Sequence, residues 1–190
     1  MDMLNAELYF EKANDTIRVT KGDVFKLELL DEYNTSFEKQ WQFFKRNGRV
    51  SADMLYEYVK GSHDRAREFK RRGIRFRRVH VVSLPLSIYL RFEMESYKIF
   101  EKMGESVYLI ERKKFAKIAK PSGMRPMDLL ATDECVFLVK YANVRNNIGG
   151  ELVGSFLIDE PEKVKKYKGY VERILKKAVP LNKFLRAIKS

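Results

Sequence analysis

Arg75-Phe-Arg-Arg-Val-His-Val-Val-Ser-Leu-Pro-Leu-Ser-Ile-Tyr-Leu-Arg-Phe-Glu-Met-Glu95 is the stretch from which the rest of the chain is read. From Val79 to Val82 both faces of the pleat are apolar apart from His80, which predicts a strand covered on both sides. Ser83 and Pro85 then mark a helix start, and Leu86, Tyr89, Leu90, Tyr97, Phe100 and Met103 recur at helical spacing up to Gly104. A strand that feeds a helix directly is where α/β proteins often place anion sites.

Upstream, residues 1–22 mix acidic, polar and isolated apolar groups and predict a short helix or hairpin that precedes Lys21-Gly22. Between Asp23 and Tyr33 the run Val24-Phe-Lys-Leu-Glu-Leu alternates with period 2, which predicts a strand with one wet face. Asn34-Thr-Ser36 offers capping side chains before a short helix with Phe37, Trp41 and Phe44 inward, ending at Asn47-Gly48. Ser51 caps a longer helix in which Leu55, Tyr58, Val59, Ser62, Ala66 and Phe69 form the inner stripe and Gly73 the stop.

Downstream, Ser106–Glu111 reads as a third strand, Arg112–Lys120 as a basic segment of uncertain form, and Pro121-Ser-Gly-Met-Arg-Pro126 as a loop. Glu134–Ala142 and Glu151–Ile158 predict a hairpin through Asn146-Asn147 and Gly149-Gly150. Asp159-Glu-Pro161 opens a helix with Val164, Tyr167, Val171, Ile174 and Leu175 inward, and Pro180 starts a last short one. The expected fold class is α/β or α+β: a mixed, mainly antiparallel sheet of about five strands with helices packed on it. One domain is expected over 1–190, with 1–22 as an N-terminal extension and 160–190 as a basic C-terminal helical segment.

With 190 residues, 45% of them hydrophobic, the chain builds a sizeable core, and its formal net charge of +12 favours an acidic or phosphate-bearing partner. Cys135 stands alone in an apolar run, so it makes no internal disulfide and reads as a small buried hydrophobe. No basic region followed by a long apolar core opens the chain, and no apolar run approaches bilayer length, so the expected location is cytoplasmic. Glutamine occurs only at 40 and 42 against abundant Lys and Glu, the lean of a heat-adapted protein.

The positive charge is segregated. Residues 65–78 carry eight Lys/Arg against one Asp/Glu and residues 162–190 ten against two, whereas 1–64 is net negative and 79–161 balanced. Nucleic-acid-binding candidates are therefore Arg65, Arg67, Arg71, Arg72, Arg75 and Arg77 in the first block and Lys165, Lys166 and Lys176 in the second. If the blocks meet, they form a phosphate-tracking surface; if they do not, they are solubility features, and cations at a helix C-terminus also serve its dipole.

Two histidines, His63 and His80, and one cysteine leave no His/Cys zinc set, and Gly149-Gly150 lacks the residues of a phosphate loop, so neither metal nor other cofactor is expected. His63 is followed by Asp64-Arg65 and His80 by Val81-Val82, so the His-x-Lys pair of phospholipase D-type phosphodiesterases is missing. His80, inside an apolar strand, reads as a satisfied core histidine. Glu93 and Glu95 point to different helix faces and make no carboxylate dyad, while Arg91 and Glu95, four apart, are expected to pair.

The run Arg77, Arg78, Val81, Val82, Ser83, Pro85, Leu86, Ser87, Tyr89, Leu90, Arg91, Phe92 and Glu93 resembles the signature of an uncharacterised prokaryotic domain-of-unknown-function family, common in filamentous soil bacteria and often encoded beside helix-turn-helix regulators. Weaker likeness in Phe25-Lys-Leu-Glu, Asp159-Glu-Pro161 and Ala178-Val-Pro-Leu181 extends it over about residues 24 to 185. The chain departs from that pattern in its lysine-rich tail and in Asp128–Glu134. The family has no established activity; its gene setting implies regulation or mobile elements rather than metabolism.

Arg78, Ser83, Ser87, Tyr89, Arg91 and Glu93 are more polar groups than a core needs. They are candidates for an anion pocket of arginine forks and helix N-terminal amides, or alternatively for buried ion pairs and a helix cap. Three functions follow: a non-catalytic accessory protein that binds nucleic acid or a regulatory complex; a diverged phosphodiesterase-like enzyme relative; or a protein-protein adaptor or homodimer.

Overall fold

The computed structural model describes residues 3–33, 39–124 and 126–188, leaving aside the side chains of 58–64 and 121–122. Its elements are β1 (Met3–Asn5), α1 (Ala6–Val19), β2 (Val24–Glu28), α2 (Lys39–Asn47), α3 (Ala52–Arg72), β3 (Phe76–Val82), α4 (Ile88–Met103), β4 (Ser106–Glu111), α5 (Arg112–Ser122), β5 (Asp128–Ala131), β6 (Val136–Ala142), β7 (Glu151–Ile158), α6 (Pro161–Leu175), β8 (Val179–Pro180) and α7 (Leu181–Ala187).

All strands join one mixed sheet in the order β1-β7-β6-β5-β2-β3-β4-β8. β2, β3 and β4 run parallel at its centre, linked by helical crossovers, with antiparallel partners on both sides. The expected sheet of about five mainly antiparallel strands is therefore corrected to eight described strands around a parallel core. The strands missing from that expectation, β1, β5 and β8, span three, four and two residues, too few for a periodicity to show. The β6–β7 hairpin forms as expected, with a register shift at Lys140/Tyr141.

Helices cover both faces. α5 and α6 close one face over Leu27, Val79 and Ile110, which touch Phe115, Tyr170 and Ile174. On the other face α1 packs over Phe137 and Val139 through Tyr9, Ala13 and Ile17, and α4 and α7 pack over Val82 and Leu109. α2 lies outside α4, with Trp41 and Phe44 against Tyr89 and Phe92.

The predicted helix stops hold. Ser51 Oγ accepts from the Met54 amide at the start of α3, and Gly73 and Gly104 end α3 and α4 at positive φ, where a side chain would be strained. The start of α4 differs: Ser83 and Pro85 stay in the connecting loop, and Ser87 is the N-cap, its Oγ accepting from the Leu90 amide. Asn34-Thr-Ser36 and Phe37 fall outside the described residues, as do the side chains of Tyr58, Val59, Ser62 and His63. Arg112–Lys120 resolves as the body of α5, which burial of Phe115 and Ala119 at i, i+4 secures against the sheet. No helix among the described residues is long and apolar enough to cross a membrane.

Candidate functional site

β2 has less of a wet face than its alternation predicted. It lies between β3 and β5, and Glu28 projects beneath α4 to meet Tyr97, whereas the Lys26 side chain stays 36% exposed and reaches Glu28 at 2.6 Å from the edge. Glu28 joins Arg78 and His80 of β3 and Asp128 of β5 in a buried ionisable layer. Arg78, 5% exposed, donates from Nη1 to both Glu28 oxygens (3.0 and 3.1 Å) and from Nε and Nη2 to Glu105 Oε2 (3.3 Å each). Its guanidinium also lies over the rings of Phe100 (4.9 Å) and Tyr97 (5.3 Å). Burial alone would raise the Glu28 pKa, but Arg78, Lys26 and His80 together outweigh it and hold the carboxyl well below the usual range.

His80 is fully enclosed, as the sequence indicated. Leu30 O can only accept, so His80 Nε2 (2.7 Å) carries a proton, and the Tyr97 hydroxyl stands between Nδ1 (2.6 Å) and Glu28 Oε2 (2.9 Å). Burial presses the His80 pKa down, against the pull of Glu28. Asp128 accepts from the Leu29 amide (2.8 Å) and the Tyr33 hydroxyl (2.6 Å), yet burial raises its pKa to about 7. Glu93 is likewise raised to about 7, by burial first and then by Glu28, with Tyr89 as its hydrogen-bond partner. The layer thus contains two carboxyls poised near neutrality among groups of fixed charge.

The candidate anion-pocket residues separate. Arg78 is consumed by Glu28 and Glu105, and Tyr89 and Glu93 are buried on the inner side of α4. Ser83 receives an anion, but it is the chain's own Asp31: the Ser83 amide (2.9 Å) and Oγ (2.6 Å) donate to its carboxylate, and Arg112 reaches it at 3.2 Å. Ser87 caps α4 and donates to Asp31 O. Arg91 is exposed on the opposite side of α4 from Glu93, and the expected Arg91–Glu95 pair does not form, because Lys98 takes Glu95 at 2.6 Å. Arg91, Glu93 and His80 are therefore not brought together.

The first basic block is largely engaged. Arg71 chelates Glu68, Arg72 donates to the Arg18 and Thr20 carbonyls, Arg75 chelates Asp23, and Arg77 bridges Asp23 and Glu172. Arg65 is half-buried and faces Glu105, while Arg67 is exposed. The block touches the second one at a cleft of about 590 Å³, where Arg75, Arg77 and Lys168 alternate with Asp23, Asp133 and Glu172. Charge there is balanced.

Free positive charge gathers instead on the outer face of α5 and α6, which pack side by side. α5 holds five cations and no carboxylate, and 161–177 holds seven cations against two carboxylates, so these segments carry +10 of the chain's +12. Lys113, Lys117 and Lys120 of α5 are exposed without an ion pair among the described residues. So are Lys165, Lys166, Arg173, Lys176 and Lys177 at α6, while Lys114, Lys163 and Lys168 pair with Glu111, Glu160 and Asp133. The candidates Lys165, Lys166 and Lys176 lie here. Sequence reasoning missed the α5 lysines because acidic residues elsewhere in 79–161 cancel them in a window count.

A family model described as "Domain of unknown function (DUF6879)" matches residues 11–186, and the chain belongs to that family. No curated protein matches it. Among solved structures, the chain is similar to TrmBL2, an archaeal chromatin protein whose structure shows a novel mode of DNA binding, with a TM-score of 0.49, 11% identity and 92% of this chain covered. The chain spans about half of that protein, 51% of its length. It is also similar to NucT from Helicobacter pylori, with a TM-score of 0.48, 12% identity and coverage of 94% and 97% of the two chains.

Proposed function

We propose that this member of the domain-of-unknown-function family binds nucleic acid as a non-catalytic accessory protein, through the α5–α6 face. One observation carries the proposal: two adjacent helices and the two residues that follow α6 hold eight exposed cations that no carboxylate of the described residues neutralises. Such a surface attracts a polyanion by counterion release, independent of base sequence. Lysines supply most of it, and a lysine ammonium on a flexible stem suits phosphate contact rather than bidentate reading of a base edge. Arg75 and Arg77 flank this face as secondary contacts that a phosphate would have to win from Asp23 and Glu172, whereas Arg67 sits on α3, across the sheet.

The test is fluorescence anisotropy of a labelled 20-base-pair DNA duplex and a single strand of equal length across a salt series. The wild-type chain should bind with a steep negative slope of log affinity against log salt. Replacing Lys113, Lys117, Lys165 and Lys166 with Gln should flatten that slope by roughly 3 to 4. Binding that is absent at low salt, or unchanged in the quadruple variant, would overturn the proposal.

A further inference from the structure

On the opposite side of the sheet from α5 and α6, a groove of about 1260 Å³ runs between α4 and α7. Its floor is mainly aliphatic: Val50, Leu84, Leu86, Met94, Leu185 and Ile188 line it, with Leu84 47% and Ile188 39% exposed, while its one aromatic ring, Phe44, is buried. Its rim is cationic: Arg49, Arg91, Lys98 and Arg186 stand around one carboxylate, Glu95, which Lys98 already holds at 2.6 Å. Arg49, Arg91 and Arg186 have no ion pair among the described residues.

We propose that this groove is a protein-docking site for an amphipathic helix of a partner, with aliphatic residues on one stripe and carboxylates flanking it. Three features select that occupant. The groove exceeds the roughly 300–1,000 Å³ of small-ligand pockets, so it takes a chain segment. Its walls are α4, α7 and the loops at 48–50 and 84–86, and no strand lines it to be extended, which leaves the helix-in-groove mode, read through anchors at i, i+3, i+4 and i+7. The rim carries charge of one sign, so complementarity demands carboxylates on the partner. A nucleic-acid strand fits less well, because base binding uses exposed aromatic platforms and the one aromatic ring in this lining, Phe44, is buried.

The probe is a fluorescein-labelled 16-residue helical peptide with Leu at the anchor positions and Glu along both flanks, titrated with the full chain. Its controls are a Lys-flanked version and a scrambled sequence of the same composition. The Glu-flanked peptide should bind, and the two controls should not. Arg91→Glu with Arg186→Glu should weaken binding by about tenfold or more and transfer it to the Lys-flanked peptide. That reciprocal swap separates the site from a loss of folding. Leu84→Ser should weaken the Glu-flanked peptide alone, and both variants should retain duplex DNA as the wild type does. Equal binding of the scrambled peptide, insensitivity to Arg91 and Arg186, displacement of the peptide by a poly-dT strand, or a wild-type dimer that Leu84→Ser dissociates would each overturn the proposal. The last two results would assign the groove to a nucleic acid and to a second copy, respectively.

Discussion

Replacing Arg78 with Met tests whether the buried layer is held by charge or merely filled. The guanidinium makes four contacts of 3.0 to 3.3 Å with Glu28 and Glu105, both only 6% exposed. Met keeps much of the volume over Phe100 and Tyr97 but leaves the carboxylates without their shared cation. Glu28 retains Lys26 at 2.6 Å and Glu105 still faces Arg65, so each buried carboxylate is left with a single, partly exposed cation. Breaking a buried ion pair by deleting one partner costs about 3–5 kcal/mol. For a chain of this size that corresponds to a fall in Tm of roughly 6–20 °C.

The loss must also depend on pH. In the wild type, the depressed Glu28 pKa contributes stability that is present above the unfolded value of about 4.3 and is lost as pH falls toward the folded one. In the variant Glu28 loses the cation that does most to offset its burial, so its pKa rises past the unfolded value, and the cost of keeping it charged, full at pH 7, vanishes as pH falls below about 4. The gap between the two proteins should therefore narrow steadily from pH 7 to pH 5 in urea titrations followed by circular dichroism. Adding Glu28→Gln and Glu105→Gln to Arg78→Met should recover most of the loss at pH 7. A deficit under about 1 kcal/mol at pH 7, or one that stays constant with pH, would refute the electrostatic account.

Glu93 and Asp128, both raised to about 7 by burial, contribute stability that is full below about pH 4 and is lost as pH rises through 7. Glu93→Gln or Asp128→Asn should thus flatten the stability decline between about pH 4 and 7, and an unaltered slope in thermal melts would show that neither group titrates there. Gly154 sits at φ +150°, and a Cβ there would lie 1.9 Å from the Leu4 carbonyl oxygen. Gly154→Ala should unzip β1 from β7 at a cost of at least about 1–3 kcal/mol. Hydrogen exchange at Leu4 and Asn5 should then accelerate, and wild-type protection there would contradict the register.

The amino-acid sequence by itself determined most of the element list. The apolar run Val79–Val82, the α4 stripe and the Gly73 and Gly104 stops are visible because each depends on neighbours within one or two turns of chain. The same locality made Val24–Glu28 look like a half-wet strand, since an alternating charge reads the same whether water or a buried counter-ion faces it. Only the tertiary structure decided between them: Arg78 meets Glu28 from 50 positions away, Tyr33 meets Asp128 from 95, and Arg77 meets Glu172 from 95. Charge clustering correctly marked a basic chain, but not which cations are free. The arginines around residue 75 are largely neutralised by carboxylates brought to them by the fold, whereas Lys113, Lys117 and Lys120 of α5, hidden in a balanced window, have no ion pair among the described residues and stand beside α6. Helical periodicity is a local property and can be read from a window of sequence; the neutralisation of a charge depends on what folding places within 4 Å of it, and no window contains that.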